Sequence, residues 1–327
     1  MPIRSVIRVL TLTAIAVVVV AAAQGPTPSN RHPEYSVTIP GIASSGAPLL
    51  TRPARALLGW LPDEQAQQML VGARADVQPS AENRLLAESA RSAVAARVET
   101  TGNGKVISEV GDVLDEHIVA LKGSSGAKAY FDEGWRVALA DLRMVRALQA
   151  HVFIDHAKER TDGVIANDLT SMAKISLPLP KEPQLPAQFD PIQKAWIIAG
   201  ADPNLKIVGQ FAGQVQPGLM GFGFAVALMP SFIQVAEVDS HFVLRDGYHR
   251  AVGFLMQGIS HVPVFFRKYP PHADLGLGPG LLPPTVYLGD RPPMLPDYLD
   301  STVSADVSLP AFQKMIIIHG LELTPAG

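Results

Sequence analysis

The run Arg245-Asp246-Gly247-Tyr248-His249-Arg250 places one glycine, one acid and several basic side chains between an apolar strand pattern and a short helical pattern. A chain that leaves a strand and enters a helix within about three residues needs an unusual backbone angle, and glycine adopts it at low cost. The first turn of the helix offers unbonded N–H groups and the positive end of the helix dipole, which together suit an anion. Arg250 falls in that first turn, where a cation is unfavourable unless an anion offsets it. Its forked donors match phosphate oxygens, and its charge is constant at all relevant pH. His249 stands beside it, and Gly247, lacking a side chain, lets a ligand approach the backbone. Asp246 supports a different reading, in which it caps the helix or pairs with Arg250 and the turn is structural. Local chemistry supports the two readings equally.

Three acids are close enough in sequence to act on a ligand held there. Glu237, Asp239 and Asp246 are each able to serve as a general base or to hold a magnesium ion on phosphates. Two of them sit in or beside a hairpin turn, where acids are usually just solvated. Elsewhere, His151 and His156 flank Asp155. A spacing of five does not bring two ligands onto one helix face, so no metal site is expected. Gly218–Gly223 reads as a packed turn or a loop. The chain contains no Walker A sequence and no G-x-S-x-G elbow. It also contains no cysteine, which removes disulfides, thiolate metal sites and cysteine nucleophiles together.

The elements that would position the turn are legible on both sides. Residues 232–238 and 241–245 alternate around Asp239-Ser240, the pattern of a hairpin with a tight turn. Val252, Leu255 and Met256 mark the buried face of a brief helix, and Gly258 ends it. Val262-Pro263-Val264-Phe265-Phe266 then forms a strand, with Pro263 suited to an edge or a strand start.

Upstream, the pattern is mainly helical from about residue 54 to 160. Leu61-Pro62-Asp63-Glu64 and Pro79-Ser80-Ala81-Glu82 open helices. A third helix is expected over residues 110–121, stopping at Gly123. Trp135, Leu139, Leu142, Val145 and Leu148 fall at helical spacing and predict a fourth, with that stripe in the core. The proline-rich residues 176–191 mark a boundary. Residues 195–198 and 205–208 then read as a hairpin around Gly200-Ala201-Asp202-Pro203-Asn204. Beyond Tyr269 the chain reads as loop up to a last strand at residues 314–319, and the Asp290-Arg291 and Asp297 region is a candidate lid.

The residues around the turn resemble the ParB/sulfiredoxin superfamily core. The resemblance rests on Arg245-Asp246-Gly247-Tyr248-His249-Arg250-Ala251, on Gly258, on Val262-Pro263-Val264, and on the proline-led strand Met229-Pro230-Ser231-Phe232-Ile233-Gln234-Val235. It covers residues 229–266. It implies a mixed-sheet ParB/sulfiredoxin-like domain over residues 176–327, which with the helical pattern read upstream over residues 54–175 makes the expected protein α+β. It further implies a nucleotide, ATP or CTP with magnesium, or another small phosphorylated ligand, contacted by Gly247, Tyr248, His249 and Arg250. Phosphoryl transfer or nucleotide hydrolysis would be the accompanying chemistry. Tyr248 stands where sulfiredoxins carry cysteine, which argues against their chemistry. No helix-turn-helix segment follows the motif, which argues against DNA partition. The alternatives are a non-catalytic structural or interaction protein that keeps the fold, and a nucleic-acid-contacting ParB-like module.

Composition bounds these expectations. With 327 residues, 47% apolar and 17% charged, the chain is long enough for two domains and well supplied with core. A net charge of −3 argues against a general nucleic-acid binder. Residues 1–23 carry Arg4 and Arg8, then an apolar run ending in Ala21-Ala22-Ala23, the pattern of a secretory signal peptide or a short membrane tether. Residues 24–53 include a linker rich in Pro, Ser and Thr. The expected location is therefore exported or tethered if that segment operates, and cytoplasmic otherwise. Nucleoside triphosphates are scarce outside the cytoplasm, so the mature N-terminus bears on the ligand as well.

Overall fold

The computed structural model describes residues 50–72, 77–99, 104–179, 187–192, 195–200, 204–271, 275, 277, 280–311 and 314–320, and the backbone of Ala16–Val19. The rest of the signal-like segment and nearly all of the linker lie outside the described residues. No described helix is long and apolar enough to cross a membrane. The protein is α+β, and its two compact units cross the expected 175/176 boundary: residues 44–181 with 230–311 form the larger, and residues 1–43, 182–229 and 312–327 the smaller.

The larger unit is built on a mixed five-stranded sheet. Its strand order is His241–Asp246, Gln234–Val238, His261–Lys268, Arg136–Asp141 and Ile107–Ser108. Only Gln234–Val238 and His261–Lys268 run parallel. Parallel neighbours need a crossover, and the helix Tyr248–Met256 supplies it. The tight turn is as the sequence predicts, with Asp239 and Ser240 both at positive φ. Pro263 lies beyond the end of the parallel ladder, which begins at Phe265, so its missing N–H breaks no strand pairing on that side. A second, antiparallel sheet joins Ala305–Pro310, Thr51–Ala56 and His151–Phe153.

The opening helices follow their capping signals. Asp63–Val71 starts after Pro62 with two acids in its first turn, and Ser80 caps Ala81–Ala95 by accepting from the Asn83 N–H. The third expected helix forms over Asp115–Gly123. The fourth does not. Arg136–Asp141 is a strand beside His261–Lys268, followed by a 3-10 turn at Leu142–Met144 whose Arg143 N–H donates to the Asp141 carboxylate. A strand covered on both faces has no polar alternation, so its continuous apolar run mimics a helical stripe. The Trp135, Leu142, Val145 and Leu148 side chains are nonetheless buried, as the stripe predicts. The stretch expected to be helical thus supplies strands to both sheets.

One sheet face carries an aromatic cluster in which Phe232, Phe265 and Tyr130 meet at centroid distances of 5.0–5.2 Å. Against the other sits Tyr248–Met256, packed on Ile154–Arg160. A Cβ at Gly253 would lie 2.3 Å from the Ala157 carbonyl oxygen, so glycine is what allows this approach.

In the smaller unit the strand Ala195–Gly200 pairs with Lys314–Gly320 and Ala187–Asp190, and Ala16–Val19 pairs with the other edge of Lys314–Gly320. It does not form the expected hairpin with residues 205–208. Those belong to a long ribbon, Leu205–Gln216 with Leu219–Leu228, closed by Pro217-Gly218. A two-residue closure is entropically cheaper than one across Gly200–Asn204. Downstream of Tyr269, the expected loops contain a strand, Ala305–Pro310, and a 3-10 turn at Leu295–Leu299.

Candidate functional site

Gly247 begins the helix Tyr248–Met256 from the left-handed region, at φ 90° and ψ 24°. The Asp246 carboxylate accepts from the Gly247 N–H at 2.7 Å. No side chain caps the first turn of this helix, and that turn contains no acid. Gly247 lies against the backbone of Phe232 and Ile233, where a Cβ would be 2.7 Å from the Ile233 Cα. The turn is therefore clamped to the segment that enters the Gln234–Val238 strand.

The side chains after Gly247 diverge. Tyr248 is buried, and its hydroxyl donates to the Leu244 carbonyl at 2.5 Å while accepting from the Leu148 N–H at 2.7 Å. Its phenol faces the core, so only its backbone is left to meet a ligand at the helix mouth. Arg250 is also buried, and its guanidinium donates to the Ser231 carbonyl and, at 3.4 Å, to the Ser231 hydroxyl. Arg250 thus ties the helix to the loop before the Gln234–Val238 strand.

His249 enters a small aromatic group. Its ring stacks on Phe153 at 6.1 Å and meets the edge of His156 at 5.4 Å. Its Nε2 is buried without a hydrogen-bond partner among the described residues. Burial pulls its pKa down to about 4, with the His156, Arg160 and His151 charges acting the same way and Asp155 opposing them. His151 is also pulled below its ordinary value by burial. His156 is engaged by Arg52 at Nε2 and by Glu159 at 3.3 Å from Nδ1, while Arg52 also holds Asp155 at 2.7 Å. The sequence separates His151 and His156 from His249 by nearly a hundred residues, and the helix pairing brings them together. The described residues contain no group of three or more His, Asp or Glu able to hold a metal ion.

The three acids do not converge. Asp246 is exposed at the turn, opposite Gln234. Glu237 lies three residues further along the hairpin, about 10 Å away at strand rise, and Asp239 about 17 Å away. Glu237 is paired with Lys268 at 2.6 Å. Of the three, only Asp246 is at the helix mouth. Its carboxylate also adds to the burial that raises the Tyr130 phenol. Tyr130, absent from the motif, joins Gln234 and Arg245, which the motif contains without a role. Gln234 accepts from Arg245 at 2.8 Å and donates to the Tyr130 hydroxyl at 3.2 Å, and Arg245 lies over the Trp135 ring. A glutamine at the start of an apolar strand was the available signal.

The His249 environment predicts acid sensitivity. The neutral ring is the folded form, and the unfolded chain titrates near the ordinary value of about 6.5. Stability is therefore full above that value and falls as pH drops from about 6.5 towards 4, by roughly 2–3 kcal/mol. His249→Gln is expected to flatten this part of the profile, measured as urea midpoints from pH 7.5 to 4. An unchanged slope in the variant would assign the loss to other groups, His151 first.

Comparison of the chain with family models, with curated proteins and with solved structures finds no match.

Proposed function

We propose that the Gly247–Arg250 turn binds a nucleotide or another small phosphorylated ligand, within a ParB/sulfiredoxin-like domain. The observation that carries this reading is a helix that starts at a left-handed glycine with no side-chain cap and no acid in its first turn. Backbone N–H groups at Tyr248, His249 and Arg250 are the donors, and the helix dipole adds to them. The strand–hairpin–helix–strand order around the turn is the one expected from the residues that resemble the superfamily. A magnesium ion accompanying a triphosphate would have Asp246 as its nearest acid of the three. Phosphoryl transfer or hydrolysis would then rest on that carboxylate, because Glu237 and Asp239 lie further along the hairpin.

A second reading has its own support. The Arg250 guanidinium holds Ser231 and the Tyr248 phenol is bonded within the core. Both favour a turn kept for folding, in a protein that acts as a non-catalytic scaffold.

Titration calorimetry with ATP, CTP and ADP under magnesium separates the two. Phosphate binding through the first-turn N–H groups predicts saturable heat with at least one nucleotide, weakened about tenfold or more in Gly247→Ala, whose new Cβ displaces the helix mouth from Ile233. Melting curves establish that the variant is folded. Absence of nucleotide binding by the folded wild-type protein leaves the scaffold reading.

A further inference from the structure

A cleft of about 500 Å³ opens in the larger unit between the start of the first helices and residues 280–291. Its size is that of an ordinary small-molecule site. The floor is apolar and firm, with Trp60, Leu61, Ala150 and Leu282 all buried. Trp60 is held from two sides: its indole N–H donates to the Arg291 carbonyl at 2.7 Å, and the Arg97 guanidinium lies 5.1 Å from its ring centroid. Pro283 and Thr285, both exposed, form part of the lip.

The charges around the cleft are unequal in their commitments. Arg91 is paired with Asp63. Arg291 is exposed and anchored through Nε alone, which donates to the Arg97 carbonyl at 2.7 Å. Its two Nη nitrogens have no partner among the described residues, so they form an oriented donor pair at the edge of an apolar floor. Asp290, also exposed, stands next to it in the lining. One uncommitted guanidinium beside one carboxylate suits a single negative charge and disfavours a dianion such as a phosphate monoester.

We propose that this cleft binds a small organic monocarboxylate whose aromatic or aliphatic body lies on the Trp60–Leu282 floor and whose carboxylate is held by Arg291. The site is separate from the Gly247 turn and does not depend on the phosphate reading. Bidentate contact between guanidinium and carboxylate gives orientation, and the apolar floor gives most of the affinity.

The test is calorimetry and ligand-observed NMR on the full chain with phenylacetate, indole-3-acetate and octanoate. Phenylacetamide serves as the uncharged counterpart, and ATP as the phosphorylated control. The expected result is saturable binding of at least one carboxylate with Kd of about 1 mM or tighter. Phenylacetamide should bind about tenfold more weakly than phenylacetate, and Arg291→Gln should weaken the carboxylate by a similar factor. Thr285→Trp, which fills the lip from an exposed position, should abolish binding with an unchanged melting curve. ATP should neither bind here nor compete. The proposal is overturned if no carboxylate binds the folded wild-type protein at about 10 mM, or if binding survives Thr285→Trp or is indifferent to Arg291→Gln.

Discussion

Tyr248→Ala is expected to lower the stability of the larger unit by about 4–6 kcal/mol, seen as a large fall in the urea midpoint. Tyr248 is 2% exposed and packs edge-on against Tyr298 at 6.5 Å. Truncating a buried aromatic side chain costs about 3–5 kcal/mol through lost burial and residual cavity. The Leu148 N–H, which donates to the hydroxyl at 2.7 Å, would in addition lose its acceptor. An unmet buried N–H costs about 1–3 kcal/mol, partly recovered if water enters the cavity. Tyr248→Phe isolates this second contribution and should cost about 1–3 kcal/mol with the packing kept. Burial pushes the phenol well above its ordinary range, so no ionisation below pH 10 should appear in its absorbance. Domains are commonly stable by about 5–15 kcal/mol, so the alanine variant is expected to be marginal at best. A fall no larger than that of an exposed substitution such as Glu82→Ala would mean that Tyr248 faces solvent or ligand.

Gly247→Ala is the second large effect, expected at about 2–4 kcal/mol. Two causes add. At φ 90° an L side chain is strained by about 1–2 kcal/mol. The new Cβ would also stand 2.7 Å from the Ile233 Cα and 3.1 Å from the Phe232 carbonyl oxygen, atoms of backbone that cannot rotate away. Relief requires the helix to shift from the Phe232–Ile233 segment, and overpacking of this kind costs about 1–3 kcal/mol. Gly247→Asn separates the causes, because asparagine tolerates the left-handed region but still carries a Cβ. It should recover about 1 kcal/mol and no more. Full recovery with asparagine would show that backbone angle alone decides the residue at this position. Nucleotide titrations of the same variants would read whether the clamped turn also holds the ligand, since a shifted helix moves every first-turn N–H.

These two residues show how the turn was legible and where legibility ended. A glycine between a strand pattern and a helix pattern announces a positive φ, and the structure has it. Nothing local reveals that the same glycine also touches Ile233, because that contact depends on which strand lies alongside. Tyr248 follows a similar logic. In sequence it sits beside two basic residues at a helix mouth and reads as a ligand neighbour. In the fold, its place in the first turn directs the phenol to the Leu148 segment, a hundred residues upstream. The spacing of Arg250 offers it a phosphate or Asp246, and the fold adds a bond to the Ser231 carbonyl that no local pattern announces. The misread helix at Trp135–Leu148 has the same origin. A strand's place in the middle of a sheet is a property of its neighbours, and the apolar run alone supports either element.

The sequence by itself determined the local conformations that short-range sterics and hydrogen bonding control. These are the Ser80 cap, the Asp239-Ser240 turn, the left-handed Gly247, the helix that follows it and the strand after Gly258. It also determined which side chains are apolar enough to be buried, whatever element carries them. Only the tertiary structure decided what each polar group at the site faces. His249 acquires its depressed pKa from Phe153, His156 and the burial they cause, and Arg291 its open donors from the way Arg97 anchors it at Nε alone. Such properties depend on distances between segments far apart in the chain. Desolvation and partner choice are set by packing, to which residue spacing is blind.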